Sequence, residues 1–424
     1  MNLRSRRRMI SFIVSQKGRA CLPFLILLFS LIASGCAMQR PQPNAVVPSA
    51  ELDQYLSDKP EPLKPMYAKI MAEGKGNFVL NHLQVGVAAM ELGDYALAEN
   101  SLDQALLHIE SVYANTESAA QARSLWHEEG AKDFKGEPYE RAMAYYYRGL
   151  LYMLREDYEN ARACFKSGIL QDAFAEEEQR QCDFALLLFL EGWTSHRLGD
   201  KDMAAAAFAE LKKLRPDFPL PQDDDNTLIL LETGTSPRKV SDGVGHAALK
   251  YRRGKQFNED RVKLILAQET RQAYPMEDIF FQARTRGGRP IDKILEGKAV
   301  FLESGLKIGT ALTDTASTVI LASTLFSNHT SATANIGAAL AGVGGVVTII
   351  AMNAKPHADT RYWRNLPDLV HVYTLRDTGN KEIETVFTSA SGAPTELPPM
   401  TLKPLSHGPV GRLFWGRSRT GIIN

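Results

Sequence analysis

The chain has 424 residues, of which 44% are hydrophobic and 23% are charged, and its 49 basic residues balance 49 acidic residues. Residues 1–35 contain six basic and no acidic residues, so the remaining 389 residues carry a net charge of −6. No basic stripe is present. We therefore expect no nucleic-acid partner, because phosphate binding requires clustered Lys and Arg side chains. The remaining length allows two or three domains.

The N-terminus has the order of parts that an export signal requires. Basic residues up to Arg19 precede an apolar run over 21–32, which at about 12 residues is short of the roughly 20 that span a bilayer. An uncleaved membrane helix is the alternative. The run ends in Ala33-Ser34-Gly35-Cys36, which resembles a bacterial lipobox. The resemblance implies a signal peptide at 1–35, lipidation of the Cys36 thiol and cleavage before that residue.

The same resemblance implies a cellular location for the mature protein. Ala37 stands where an aspartate would retain a lipoprotein in the inner membrane, so we expect the periplasmic face of the outer membrane. Two or more acyl chains such as palmitate anchor a protein stably, whereas a single chain does not. Residues 36–65 are predicted to be a tether, because Gln39–Pro65 is rich in proline and polar residues.

Residues 66–220 are predicted to form a tetratricopeptide-like α-solenoid, because one phrase recurs three times. In each copy a glycine lies seven residues before a Gly-Asp or Glu-Asp turn, an alanine follows five residues later, and an apolar residue four residues after that. The glycine is expected to let two helices approach closely. The copies start at Gly86, Gly149 and Gly192, so their spacing is irregular, and a generic amphipathic helical bundle is the alternative.

The positions that line the concave face of tetratricopeptide arrays predict a groove for an envelope protein or peptide. Aromatic, methionine and arginine side chains are enriched at binding surfaces. The same side chains also suit a core, because a short array has to cover itself, and both interpretations stay open. The candidate groove residues are Met90, Met143, Tyr146, Leu150, Met153, Phe189, Trp193, His196 and Arg197.

After the linker at 220–226 the pattern changes to short β-branched or alternating runs, which predict a sandwich-like or barrel-like β domain at 221–298 and 354–424. The complete fold prediction is therefore α+β and multidomain. The predicted strands are Thr227–Leu231, Ala247–Tyr251, Val262–Ala267, Ile279–Ala283, Leu369–Leu375 and Ile383–Thr388.

An apolar helical hairpin is predicted at 299–353, inserted in the β-rich domain. Its second half carries Gly337, Ala341 and Gly345 at four-residue spacing, which favours close contact between two helices. Its charge-free part is at the lower limit for spanning a bilayer, and Asp314 in the first half is costly in lipid. Packing within the protein or against another subunit, and insertion into a membrane, stay as alternatives.

Patterns typical of active sites are mostly missing from the sequence. It contains no His-Glu-x-x-His, Cys-x-x-Cys, Gly-x-Ser-x-Gly or phosphate-binding Gly-x-x-x-x-Gly-Lys-Ser/Thr, so we expect no catalysis, no metal and no cofactor. Ser304-Gly-Leu-Lys307 matches Ser-x-x-Lys but lacks the companion motifs. His196 and His371 are expected to be structural. Cys164 and Cys182 either form a disulfide in an oxidising compartment or stay reduced.

Five stretches carry a resemblance to a known family: the lipobox, Gly93-Asp94-Tyr95, Asp157–Ala161, Gly234–Lys239 and Ala358–Pro367, of which Asp359–Pro367 is the most specific part. In that order they resemble an uncharacterised family of bacterial outer-membrane lipoproteins with tetratricopeptide-like repeats. The resemblance implies an envelope protein without assigned catalysis and transfers no site residue except Cys36. We therefore expect a non-catalytic protein–protein interaction scaffold or adaptor. The alternative is a membrane-inserting, pore or secretion assembly built on 299–353.

Overall fold

The computed structural model describes most of one compact unit that begins at Ala45, and its helices and strands confirm the predicted α+β class. Cys36 and the predicted hairpin at 299–353, with Gly337, Ala341 and Gly345, lie outside the described residues. The described residues are 48–110, 133–173, 183–242, 248–254, 258–266, 269–285, 359–376, 382–405 and 411–422.

Three helical hairpins, stacked in chain order, make up the N-terminal half of the described chain. Helices α2 and α3, α4 and α5, and α6 and α7 pair within hairpins, while α3 packs on α4 and α5 on α6. Helix α1 begins at Ser49, inside the stretch predicted as a tether. The helices are α1 (Ser49–Leu56), α2 (Lys64–Glu91), α3 (Tyr95–Glu110), α4 (Pro138–Leu154), α5 (Tyr158–Ala173), α6 (Ala185–Arg197), α7 (Lys201–Leu214) and α8 (Ile279–Thr285).

The repeated sequence phrase predicts the contacts inside these hairpins correctly. A Cβ atom added to any of the three phrase glycines would come closer than 3.0 Å to an apolar side chain of the following helix, so only glycine allows this approach. The irregular spacing of the phrase therefore comes from the connections between hairpins. The facing pairs are Gly86 with Leu102, Gly149 with Phe165, and Gly192 with Phe208.

The three turns within the hairpins share one backbone conformation. Gly93, Glu156 and Gly199 occupy the same turn position with φ values of 77°, 60° and 76°. The aspartate that follows each of them accepts a hydrogen bond from a backbone N–H three residues later, which caps the next helix. Glu156 therefore occupies a left-handed conformation that glycine adopts in the other two copies.

The described part of the chain contains ten strands, which form two four-stranded sheets and a two-stranded ribbon. The first sheet has the order β10-β1-β7-β6, the second has the order β5-β4-β8-β9, and β2 pairs with β3 in the ribbon. Strand β1 is parallel to β10 and antiparallel to β7. The strands are β1 (Thr227–Thr233), β2 (Arg238–Asp242), β3 (Ala248–Arg252), β4 (Arg261–Leu266), β5 (Glu269–Gln272), β6 (Tyr274–Asp278), β7 (Leu369–Leu375), β8 (Ile383–Thr388), β9 (Met400–Leu402) and β10 (Arg412–Arg417).

Strand β1 lies between two hydrophobic cores, and all seven of its residues are buried. Leu228 and Leu230 belong to the core shared with the helices, whereas Ile229 and Leu231 belong to the core shared with the second sheet. Successive side chains of a strand point to opposite faces, so one strand serves both cores. The described residues therefore form three layers: helices, first sheet and second sheet.

Five of the six predicted strands are confirmed to within two residues at their ends, and the sixth is wrong. Ile279–Ala283 lies in helix α8, not in a strand. The Asp278 carboxylate accepts a hydrogen bond from the Phe281 N–H at 2.9 Å and so caps the helix. Ile279, Gln282 and Ala283 are its buried residues, at the spacing of one helical face.

Candidate functional site

A buried carboxylate, Glu232 of β1, joins the helices to the first sheet. Its oxygens accept hydrogen bonds from the Tyr147 hydroxyl at 2.9 Å, the Tyr146 hydroxyl at 3.2 Å and the Trp415 indole N–H at 2.8 Å. Arg417 Nε lies 3.4 Å from Glu232 Oε2. Burial raises the pKa of Glu232, while Arg417 and the three donors favour its charged form. The carboxylate thus links α4 with β1 and β10.

A second buried carboxylate, Glu140, belongs to the first turn of α4. It accepts a hydrogen bond from the Glu137 N–H at 2.7 Å and completes a capping box at the helix start. The Lys239 ammonium donates to the same oxygen at 2.7 Å, and the Trp363 N–H donates to the other oxygen at 2.8 Å. Burial raises the pKa of Glu140, and Lys239 opposes that shift. One side chain therefore connects α4, β2 and the segment before β7.

The stretch Asp359–Pro367, the most specific part of the family resemblance, connects α2 with the C-terminal region. Arg361 donates to a carbonyl of α2 at 2.9 Å. The fully buried Trp363 indole donates to Asn365 Oδ1 at 2.6 Å. The Asn365 amide then donates to a second carbonyl of α2 at 2.9 Å and to the Gly421 carbonyl at 2.7 Å. These side chains therefore form hydrogen bonds that connect elements distant in sequence.

Helix α8 precedes residues 286–358 and is fixed to the start of α6. Glu277 accepts hydrogen bonds from the Gln282 amide at 3.0 Å and from the Leu186 N–H at 3.1 Å. The same Gln282 amide donates to the Asp183 carbonyl at 3.2 Å. Because Glu277 and Gln282 are fully buried, this contact holds the C-terminal end of β6 and α8 against the helical layer.

Arg253 links the ends of β6 and β7. Its guanidinium contacts Asp278 at 2.5 Å and also forms an ion pair with Asp368. Burial raises the pKa of Asp368 to about 6, although Arg253 acts to lower it. Asp278 precedes α8 directly and Asp368 precedes β7 directly, so the flanks of residues 286–358 are tied to one arginine.

Seven of the nine predicted groove residues are buried and belong to the core that the helices share with the first sheet. They pack in the same cluster as Leu228, Val370 and Leu413 of that sheet, while His196 and Arg197 are half-buried. A buried side chain cannot contact a separate partner, so these seven side chains build the core. The seven are Met90, Met143, Tyr146, Leu150, Met153, Phe189 and Trp193.

Of the two cysteines that were predicted either to form a disulfide or to stay reduced, only Cys164 is among the described residues. Cys164 is a half-buried residue on α5 with no disulfide partner among the described residues, and burial raises the pKa of its thiol to about 12. Cys182 lies outside the described residues, so a disulfide between the two stays a prediction. Cys36, Gly337, Ala341 and Gly345 lie outside them as well.

Over the described part of the chain, no three His, Cys, Asp or Glu side chains are placed to hold a metal ion. A cavity of about 130 Å³ lies between α3 and α4, and its charged lining residues, Glu99 and Arg155, form an ion pair with each other at 2.6 Å. Within the same residues, no helix has the length and hydrophobicity needed to cross a membrane.

Sequence reasoning did not single out Glu232, Glu140 or Asn365, which carry the contacts between layers. A usable signal exists for Glu232, because an acidic residue at the end of an apolar run that is buried on both faces requires partners. No such signal exists for Glu140, which resembles an ordinary exposed residue in the first helical turn.

Comparisons with known proteins add no assignment. No family model, curated protein or solved structure matches this chain. The family resemblance drawn from the sequence therefore stays a prediction, and the contacts described above support the functional argument.

Proposed function

We propose that this protein is a non-catalytic cell-envelope lipoprotein, anchored through Cys36 at the periplasmic face of the outer membrane, that acts as an adaptor for another envelope protein. Its body combines a tetratricopeptide-like solenoid with a sandwich-like β domain. Three helical hairpins with one shared turn conformation support the first assignment. Two four-stranded sheets with a common hydrophobic core support the second.

The segment 299–353 is the proposed partner-binding element, in place of the helical face that the first sheet covers. The observation that supports this proposal is that the described residues on both sides of 286–358 are hydrogen-bonded to the helical layer. Gln282 makes such a bond before the segment, and Trp363 and Asn365 make them after it. The described residues on both sides of 286–358 are therefore held to the body. The small residues Gly337, Ala341 and Gly345 favour close contact with a helix of the partner.

Insertion of the same segment into the membrane, as part of a pore or secretion assembly, is the alternative function. The absence of charged residues from 336–352 favours it. Carbonate extraction of the exported chain without its lipid separates the two proposals. Release from the membrane supports the adaptor, and retention supports insertion.

The anchor is tested by the variant Cys36→Ser. We expect it to incorporate no radiolabelled palmitate and to keep its signal peptide, whereas the matched control Cys164→Ser should be labelled and processed normally. Continued labelling of Cys36→Ser would show that the lipobox assignment is wrong.

The adaptor role is tested by replacing 299–353 with a short Gly-Ser linker and isolating cross-linked envelope proteins. We expect the partner to be lost while the melting temperature of the body changes little. Tyr146→Phe, which alters a buried contact to Glu232 and no exposed surface, serves as a control and should retain the partner. The same set of cross-linked proteins with and without 299–353 would contradict the proposal.

A further inference from the structure

The β2–β3 ribbon presents clustered basic side chains to solvent, which corrects the expectation from the sequence that no basic stripe is present. In its register Arg238 lies opposite Arg252 and Val240 lies opposite Lys250. Directly opposite residues share one face of a strand pair, and Arg238, Lys250 and Arg252 are all exposed. The other face points into the body, where Lys239 reaches the buried Glu140 at 2.7 Å. The ribbon is therefore oriented with its basic face outward.

This arrangement has an electrostatic cost. Like charges directly opposite each other destabilise a strand pair, and an isolated two-stranded ribbon is only marginally stable. Within the described residues, neither Arg238 nor Arg252 has an ion-pair partner, in contrast to Arg253, which is held by Asp278 and Asp368. An anionic surface would supply the missing compensation.

The basic face continues onto helix α8, which packs against β3. The guanidinium groups of Arg253 and Arg284 both lie near the Phe280 ring, at 4.9 Å and 5.9 Å from its centroid. The next residue, Phe281, is 40% exposed, which is unusual for so large an apolar side chain. Basic and aromatic side chains are thus adjacent to each other on the ribbon and α8.

We propose that Arg238, Lys250, Arg252, Arg284 and Phe281 form a contact surface for an anionic phospholipid membrane. Guanidinium groups match phosphate oxygens in geometry and charge, and aromatic rings favour the headgroup region. The surface acts in addition to the lipid on Cys36 and does not depend on it. It would hold the body against the membrane in one orientation, with the β2–β3 ribbon and α8 at the membrane surface.

Co-sedimentation with vesicles tests the surface without the lipid anchor. The chain from Ala37 lacks the signal peptide and the lipidated residue but retains the compact unit that begins at Ala45. We expect it to bind vesicles of phosphatidylethanolamine with one quarter phosphatidylglycerol, and not vesicles of phosphatidylcholine alone. Binding should be lost between about 0.1 M and 1 M salt, because the screening length falls from about 10 Å to about 3 Å.

The double variant Arg238→Gln, Arg252→Gln should bind the anionic vesicles roughly 25-fold more weakly, since each basic residue near an anionic surface contributes about fivefold. Its melting temperature should be equal to or above that of the unchanged chain, because the facing charges are gone. The matched control Lys201→Gln, Lys403→Gln removes the same charge from other exposed positions and should bind normally.

Phe281→Ser provides a second variant outside the ribbon, with a smaller expected loss of binding. Equal binding by the arginine variant and the lysine control would overturn the proposal. Binding that ignores phosphatidylglycerol and salt would overturn it too, because it would be due to apolar insertion. A chain that binds neither kind of vesicle would indicate an acidic protein as the partner of this face, and so would also overturn it. Each of these outcomes is independent of palmitate labelling at Cys36.

Discussion

The first sheet packs against helices on one face and against the second sheet on the other, and the two contacts differ in chemistry. Toward the helices, β1 contributes Leu228, Leu230 and the buried carboxylate Glu232 with its tyrosine, indole and guanidinium partners. Toward the second sheet it contributes Ile229 and Leu231 to a small apolar core. The face between sheets is stabilised mainly by apolar burial, whereas the face toward the helices also requires matched polar partners.

A buried ion pair is weak evidence for stability, because desolvation of the two charges offsets much of their attraction. Its directional requirements are strict, however, since a misplaced helix would leave Glu232 without donors. We infer that the polar contacts fix how the helices are oriented on the sheet, while apolar burial supplies most of the stability. The two faces can be perturbed separately by substitution.

The largest effect is expected from Arg417→Ala. Arg417 is almost fully buried and supplies the positive charge beside Glu232. Removing one partner of a buried pair typically costs about 3–5 kcal/mol of unfolding free energy, because an uncompensated charge stays behind. Urea denaturation measures the loss.

The control for this change is Arg271→Ala, whose partner Glu269 is exposed. Exposed pairs contribute at most about 1 kcal/mol, so this variant should unfold close to the unchanged protein. A double variant Glu232→Gln, Arg417→Met should recover part of the loss, because no unpaired charge remains. If Arg417→Ala cost no more than Arg271→Ala, the polar contact would be unimportant for folding.

On the opposite face, Leu264→Ala should destabilise by about 2–5 kcal/mol, through lost apolar burial and the cavity left behind. Leu264 of β4 is fully buried in the core between the two sheets. Thermal and urea unfolding measure the change, and Leu266→Ala on the same strand, which is only partly buried, should cost less. An equal cost at both positions would mean that the core between the sheets is loosely packed.

The two faces should also differ in acid sensitivity, and His371 tests the face between the sheets. It lies opposite Leu231 in the register, and its Nε2 is 3.1 Å from Thr233 Oγ1. Complete burial lowers its pKa from 6.5 to about 3. Below pH 6.5 the imidazole of His371 is therefore protonated in the unfolded chain but stays neutral in the folded chain. The contribution of His371 to the free energy of unfolding is thus fully present above pH 6.5 and is lost as the pH falls.

Between pH 7 and pH 5 the loss due to His371 should be about 2 kcal/mol, and any folded-state pKa well below 5 gives a similar figure. In His371→Gln the fall in stability over this range should be smaller by that amount, while background titrations such as that of His82 affect both proteins equally. Urea denaturation at the two pH values makes the comparison. Parallel pH dependence in the two proteins would show that His371 is protonated in the fold.

The difference between the faces also explains how far sequence reasoning reaches. Short β-branched or alternating runs located β1, β7 and β8, and the Gly-to-apolar spacing located the pairs Gly86 with Leu102 and Gly149 with Phe165, because these signals are local. The partners of Glu232 lie 85, 86 and 183 residues away in sequence. Nothing local specifies such contacts. The groove residues were also misplaced by a contact between distant parts of the sequence, because the face of α4 that would line a groove is covered by strands that follow much later in the chain.

The smallest expected effect is a gain in stability, from Glu156→Gly within the helical layer. Glu156 has φ of 60° in the turn position where Gly93 and Gly199 occur, and the left-handed conformation costs a residue with a side chain about 1–2 kcal/mol. Part of this gain is offset by the greater freedom of glycine in the unfolded chain, so a net gain of about 0.5–1 kcal/mol in the free energy of unfolding is expected.

Differential scanning calorimetry should show a higher melting temperature for Glu156→Gly, whereas the mirror change Gly199→Ala should lower it. A lower melting temperature for Glu156→Gly would mean that contacts of the Glu156 side chain outweigh its backbone strain. In that case the three turns would have the same backbone conformation, but Glu156 would be stabilised there by its side chain, whereas Gly93 and Gly199 occur there because glycine lacks one.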